Sequence, residues 1–395
     1  MGCICSSEED PDVPTHPVPG KGSSQAQPHK SSQDMSILDL SKSNDVIDFE
    51  SMNPRRFKET TILIIKENML AVFPAGIRNF TSLTTFDCSM NRLDELPAEI
   101  GLLVSLTTLD ANDNSLTKLP EEIGNLSKLE KLFLYKNNIT VLPDTICNLA
   151  ALKELNLFNN KIIKLPTKFS SLHNMVELNL ADNKLKTTPD LSGFTSLNRL
   201  ALFNNNLVLL PPLSGLGSLE KLEIYRNKLE TLPDMKQLDN LQEFQVTNNL
   251  VKELPVNIGS FQALTTIEAS RNQLTSIPDS VLDLKELVKL MLSENQIAVL
   301  PTGLSKLPLK TLDVSSNLLE SFPDVEGCTS LTNLMVAKNK LSSLPTFLVS
   351  DFPYIKRLTF DGNPIDMEDA SNQEVVESLK NRFKSIPNSK LSVIV

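Results

Sequence analysis

The sharpest chemical signal in this sequence lies in its first six residues. Met1, Gly2, Cys3, Ile4, Cys5 and Ser6 follow the MGxxx[ST] pattern, in which removal of Met1 frees the Gly2 amine to accept a myristoyl group. One myristoyl chain binds a membrane with an association constant of only ~10⁴ M⁻¹, so stable residence needs a second signal. The residues that follow cannot supply it as a basic cluster, because they include Glu8, Glu9 and Asp10. Cys3 and Cys5 fill the role as palmitoyl acceptors. Gly2, Cys3 and Cys5 are therefore the expected lipidation sites, and they predict a peripheral, lipid-anchored protein on the cytoplasmic face of a membrane, with a cytosolic pool.

No second centre of reactivity emerges. The three histidines, His16, His29 and His173, are far apart, so a nucleophile and base pair or a metal cluster would have to assemble from scattered residues. Five cysteines are too few and too dispersed for a disulfide framework or a zinc ribbon, and they read as reduced. Cys88 and Cys328 occupy apolar repeat positions and are expected to be small core residues. The stretch Gly20 to Ser24 lacks the spacing of a phosphate loop. The expectation is a non-enzymatic protein with no catalytic residues, no metal and no cofactor.

Composition narrows the partners. Across 395 residues, 48 acids against 38 lysines and arginines give a net charge of -10. With no long basic run, nucleic acid is not an expected partner, since binding phosphates requires clustered cations. No stretch approaches the ~18 apolar residues of a membrane span.

The elements that position everything else follow from an internal repeat. LEKLFLYKNNI (Leu129 to Ile139), LKELNLFNNKI (Leu152 to Ile162) and LEKLEIYRNKL (Leu219 to Leu229) share the motif LxxLxLxxNxL. Its asparagine recurs fourteen times from Asn68 to Asn363 at spacings of 22 to 24 residues, and thirteen of the 24 prolines lie six residues after such an asparagine. A period in this range with this motif is that of a leucine-rich repeat. In LxxLxLxx the leucines alternate inward on a short strand. One turn cannot bury its own leucines, but stacked turns form a continuous core with a parallel sheet on the concave side. The fold class is therefore α/β, a leucine-rich repeat horseshoe with short helical or extended convex segments. Fourteen strands at ~4.8 Å give an arc of roughly 60 to 70 Å. The asparagine is expected to leave the strand with its amide bonded to backbone of adjacent turns. The shorter convex stretch Pro189 to Leu197, against Pro120 to Leu129, predicts a local change of curvature.

This reading divides the chain into a disordered acylated tether (1–35), rich in Pro, Ser and Gln, an N-terminal capping region (36–60), a solenoid of about fourteen repeats (61–366), and a C-terminal capping helix with a tail (367–395). Ser371 and Glu374 form a capping-box pattern, and Val375, Val376, Leu379 and Phe383 follow at helical spacing, predicting a helix over 371–385.

Outward residues of successive repeats stack into columns. Just after the third apolar position the column includes Tyr135, Phe158, Ala181, Phe203 and Tyr225, and Phe133 joins from the next column. Arg199 and Arg226, with Lys131 and Lys221, fringe these rings beside Glu154, Glu177 and Glu223. Aromatic anchors inside a mixed-charge rim are the composition of a protein-binding hot spot, and the same rings also stabilise the sheet by packing across it. Phe133, Tyr135, Phe158, Phe203, Tyr225, Arg199 and Arg226 are thus the expected partner-binding residues. Asp87, Asp110 and Asp113 form a second, acidic region near the N-terminal end of the arc.

With LxxLxLxxNxLxxLP and IGxL recurring, as in LTTLDANDNSLTKLPEEIGNL (Leu106 to Leu126), the chain resembles the cytosolic Ras-group leucine-rich repeat proteins over roughly residues 60–365. That group includes the Ras-suppressor and Shoc-type scaffolds and the plant intracellular Ras-group proteins. The solenoid is expected to be monomeric, and the resemblance implies an adaptor for a signalling protein such as a Ras-like small GTPase or its regulators. The alternative it implies is a regulatory or targeting subunit of an enzyme such as a protein phosphatase.

Overall fold

A computed structural model describes residues 36–43, 47–384 and 390–392. The chain divides into two units, Met1–Met35 and Ser36–Val395, and all described residues belong to the second. Gly2, Cys3 and Cys5, and the tether they would anchor, lie outside the described residues. Sixteen strands of three residues form one sheet in which neighbours in sequence are neighbours in space, all parallel, from Ile37–Asp39 at one edge to Lys390–Ser392 at the other. The fourteen strands from Ile62–Ile64 to Arg357–Thr359 each lead into one repeat asparagine. Turns are numbered 1 to 14 after those asparagines, Asn68 to Asn363.

The register is in phase throughout: Lys131, Leu132 and Phe133 face Glu154, Leu155 and Asn156. Because strand residues alternate between faces, the middle residue of each triplet from Ile37–Asp39 to Arg357–Thr359 is buried, and its neighbours form the concave columns. The leucines and phenylalanines of all turns merge into one hydrophobic core running the length of the arc.

The asparagine ladder seals the turns to one another. In turn 4, Asn137 Nδ2 donates to the carbonyls of Ala111 and Leu134 at 3.0 Å, while its Oδ1 accepts the Leu116 amide at 2.9 Å. Asn160, Asn183 and their successors repeat the pattern. Buried backbone groups left unpaired cost about 1–3 kcal/mol each, so an amide that offers donors and an acceptor together is what this position requires.

The residue before each asparagine is left-handed. Thirteen of these fourteen residues have φ between 51° and 57° without being glycine, and the fourteenth is Gly362 at 70°. The repeat motif marks this position as free, and its backbone demand is visible only in three dimensions. Beyond the asparagine, the repeat proline is extended, as at Pro97 (φ -72°, ψ 154°) and Pro120 (φ -69°, ψ 150°), and it opens short 3-10 segments such as Ala98–Leu102 and Glu121–Asn125. The glycine of the IG pair lets these segments stack: a Cβ at Gly101 or Gly124 would sit 2.5 Å from the carbonyl oxygen of Glu122 or Thr145 in the next turn. The three successive 22-residue spacings from Asn183 to Asn249 have no 3-10 segment on the convex side.

Both ends are covered. The first helix, α1 (Pro54–Glu59), begins at Asn53, whose side chain accepts from the Arg55 amide at 2.9 Å, with Pro54 in the first turn where no N–H is needed. Its Phe57 and the preceding Phe49 pack edge-on against Phe80, centroids 4.9 and 5.0 Å apart. At the other end follow α2 (Phe347–Ser350) and α3 (Ala370–Lys384), the latter burying Val375, Val376, Leu379 and Phe383. The capping residue of α3 differs from the expected Ser371. Asp369 Oδ1 accepts from the amides of Ser371 and Asn372 at 2.7 and 3.3 Å, and Ser371 lies inside the helix, because the Asp carboxylate two residues earlier reaches the free N–H groups first. Arg382 ties α3 to the carbonyls of Val349 and Phe352. The final strand, Lys390–Ser392, lies in the segment read from sequence as tail, and it pairs with Arg357–Thr359.

Candidate protein-binding face

The concave sheet carries two chemically distinct regions. In the first, the column after the third buried position brings aromatic rings together. Phe203 and Tyr225, from turns 7 and 8, stack face to face with centroids 4.5 Å apart and planes 5° from parallel. Phe158, from turn 5, meets Phe203 at 6.2 Å and 46°. The residue between them in turn 6 is the fully buried Ala181, and its small side chain leaves room for rings two turns apart to approach. Such pairs are worth about 0.5–1.5 kcal/mol beyond burial. All three rings are half-buried, because each covers part of its neighbour.

Charges around the ladder are paired with one another. Glu223, only 2% exposed, receives Arg199 Nε at 2.8 Å and Lys221 Nζ at 3.7 Å, and Lys221 also contacts Glu243 at 2.8 Å. Lys131 and Glu154 pair at 2.6 Å. Arg199 is therefore held in the sheet by Glu223, whereas Arg226 is exposed at a left-handed position. Burial, with the Glu223 charge second, pushes the Tyr225 phenol up to about 12 against the opposing Arg226 and Arg199. Its O–H stays protonated and can donate to a partner.

Tyr135 and Phe133 do not join the ring ladder. Neither stacks on another aromatic ring among the described residues, and Tyr135 belongs to the acidic region. Its phenol is pushed up by burial and then by the charges of Asp110, Asp113 and Asp87, with a hydrogen bond to Asn112 opposing. The expected group of four aromatics thus divides into a ladder of three and one tyrosine beside carboxylates. The cause is spacing: Tyr135 and Phe158 are column neighbours, yet Phe158 leans towards Phe203 over the small Ala181.

In the acidic region, Asp110 Oδ1 accepts from the Asn112 amide at 3.1 Å and from its side chain. Asp87 accepts from Ser89 Oγ at 2.6 Å and has Lys66 Nζ at 3.8 Å. Burial, reinforced by the Asp87 charge, raises the Asp110 carboxyl to about 6. Cys88 lies just beneath, fully buried, with its thiol pushed well up by the same burial and by Asp110 and Asp87. A buried thiol held protonated has no nucleophilic role. Cys328 is likewise buried and Cys147 partly exposed.

Among the described residues no group of three or more His, Cys, Asp or Glu could hold a metal ion, and no helix is long and apolar enough to cross a membrane. A cavity of about 140 Å³ beside turn 1, lined by Glu50, Phe73, Arg78 and Glu99 among others, brings no nucleophile next to a base. The burial of Glu223 and the raised Asp110 were not deducible from sequence, because a column position gives direction but not depth.

Comparison with known proteins agrees with this architecture. Residues 74–159 and 113–250 match the leucine-rich repeat region family. The mouse leucine-rich repeat and calponin homology domain-containing protein 1 is 37% identical over 75 residues, which is 19% of this chain and only 11% of that protein's length. Among solved structures, a leucine-rich repeat protein of Leptospira interrogans superposes with a TM-score of 0.71 at 28% identity, over 90% of this chain and 95% of its own. The leucine-rich effector YopM of Yersinia pestis gives 0.64 at 26% identity over 84% of each chain. The plant peptide hormone receptor RGFR1, solved in complex with RGF2, gives 0.53 at 26% identity over 77% of this chain and 60% of the receptor. These likenesses agree with the sheet of one short strand per turn described above, and the chain has the leucine-rich repeat fold.

Proposed function

We propose that this protein is a membrane-anchored, non-enzymatic adaptor whose concave face, at turns 4 to 8, binds a signalling protein, with a Ras-like small GTPase or one of its regulators as the partner class. The observation that carries the binding reading is the ladder Phe158, Phe203 and Tyr225: stacked rings presented on a rigid sheet, inside a frame of charges that already satisfy one another. Rigid aromatics lose little entropy on binding, and a neutralised rim costs little to desolvate. A receptor of similar fold was solved with its ligand RGF2, which supports a protein or peptide partner. Replacing Tyr135, Phe158 and Phe203 together by Ala is expected to leave the fold intact, since all three are only half-buried, and to abolish recovery of a GTP-loaded Ras-like GTPase from solution. Undiminished recovery would remove the concave face from consideration.

The anchoring reading rests on Met1 to Ser6 of the sequence, with Gly2 as the myristoyl acceptor and Cys3 and Cys5 as palmitoyl acceptors. Gly2→Ala is expected to move the protein from the membrane fraction to the soluble fraction of cells. Unchanged fractionation would sink this part of the proposal.

A further inference from the structure

Along the edge of the horseshoe where the chain leaves each asparagine, backbone hydrogen bonds join successive turns. The Ile163 amide donates to Thr140 O and that of Val208 to Lys186 O, both at 3.2 Å, while Lys161 and Lys184 donate to Ile139 O and Ile162 O at 2.9 Å. Val141 and Lys164 are joined by an isolated parallel bridge. Residues that follow the asparagines of neighbouring turns therefore stand side by side here, at roughly the strand spacing of 4.8 Å. In turns 5 to 7 these positions hold four exposed lysines, Lys161, Lys164, Lys184 and Lys186, and no acid. None of the four has an ion-pair partner among the described residues. Between them Ile163, Val208 and Leu209 are 54%, 49% and 55% exposed.

Elsewhere on the same edge two lysines are answered by acids, while Arg92, Lys228 and Lys340 stand singly, in separate turns, without an ion pair among the described residues. Lys118 pairs with Glu95 and Lys252 with Glu230, both at 3.9 Å. Four of the unpaired lysines thus gather on turns 5 to 7, on a chain whose net charge is -10. Cations that the protein leaves unpaired, interleaved with branched aliphatic side chains along a straight rim, complement a surface that is anionic outside and apolar just beneath.

We infer that the loop edge of turns 5 to 7 is a docking surface for an anionic phospholipid bilayer. Lysine ammonium groups meet headgroup phosphates and carboxylates, and Ile163, Val208 and Leu209 press into the headgroup boundary. Seated this way, the horseshoe stands with one edge on the membrane and its concave face open to the side. The inference deepens the anchoring reading but stands on different residues, so the two can fail separately.

The test uses the full-length chain carrying Gly2→Ala, purified without acylation and kept reduced, in co-sedimentation with phosphatidylcholine vesicles with and without about 30 mol% phosphatidylserine. Binding is expected only to the anionic vesicles, and it should weaken as salt rises. Each lysine at an anionic surface contributes about fivefold to the partition coefficient. Lys161→Gln, Lys164→Gln, Lys184→Gln and Lys186→Gln together should therefore lower it by at least about tenfold. A control with the same charge change elsewhere, Lys285→Gln, Lys306→Gln, Lys310→Gln and Lys356→Gln, all exposed, should retain binding. Equal loss in both variants would reduce the effect to net charge and overturn the inference. No binding of the parent to anionic vesicles would overturn it too, and capture of poly-glutamate without vesicle binding would reassign the edge to an acidic protein. Membrane association of the acylated protein in cells would leave the anchoring reading standing in either case.

Discussion

Asp110 shows how a single position on a solvated face acquires a property its sequence neighbours do not announce. Its carboxyl lies on the concave surface, yet burial and the charge of Asp87 raise it to about 6 from an ordinary 3.8. Between those values the folded protein binds more protons at this site than the unfolded chain does, so this group's contribution to stability increases as pH falls from 7 towards 4. Asp110→Asn keeps an oxygen to accept from Asn112 and removes the charge. The variant is expected to be more stable than the parent by roughly 3 kcal/mol at pH 7. That advantage should shrink through pH 6 and vanish near pH 4, as read by thermal melts across the range. An advantage independent of pH would show that the carboxylate is not strained by its surroundings. At this scale the sequence showed which residues face outward, including Asp87, Asp110 and the aromatic column. It did not show that Tyr135 would side with the acids or that Glu223 would be buried between Arg199 and Lys221. Those outcomes depend on how side chains of neighbouring turns lean, over distances set by the stacking.

At the scale of one turn, the asparagine and the residue before it act as a unit. The amide can reach carbonyls of its own and the preceding turn only because the backbone reverses through a left-handed residue. That conformation costs roughly 1–2 kcal/mol for residues with a Cβ, and the ladder holds it in thirteen non-glycine cases. Ser316 is such a residue, at φ 54°. Ser316→Gly is expected to raise stability by about 1 kcal/mol, net of the entropy that glycine loses on folding. Chemical denaturation would check this, and a loss of stability would mean that the position is relaxed. The motif made the strand, the asparagine and the proline legible, since each has a periodic signature. The left-handed position has none: Glu, Met, Asp, Lys, Asn, Arg and Ser all occupy it, because the constraint acts on the backbone and not on side-chain chemistry.

For the molecule as a whole, stability is a sum over turns closed by two caps. Leu379 of α3 is fully buried against the last turns. Leu379→Asp places a charge in that interface and is expected to detach the cap, exposing the end of the core and producing concentration-dependent association in ultracentrifugation. A monodisperse monomer would show that the last turn closes the core unaided. The order of the turns and the parallel sheet were legible in the sequence alone, whereas the strand Lys390–Ser392 was not. A repeat that buries leucines only by stacking admits one arrangement, and its period can be counted. The tertiary structure decided what lies between repeats: which rings meet across a small alanine, which charges neutralise each other, and which lysines gather without acids on one edge. Those features are set by side chains 20 or more residues apart in the chain but one turn apart in space, and local pattern carries no record of how such neighbours divide their contacts.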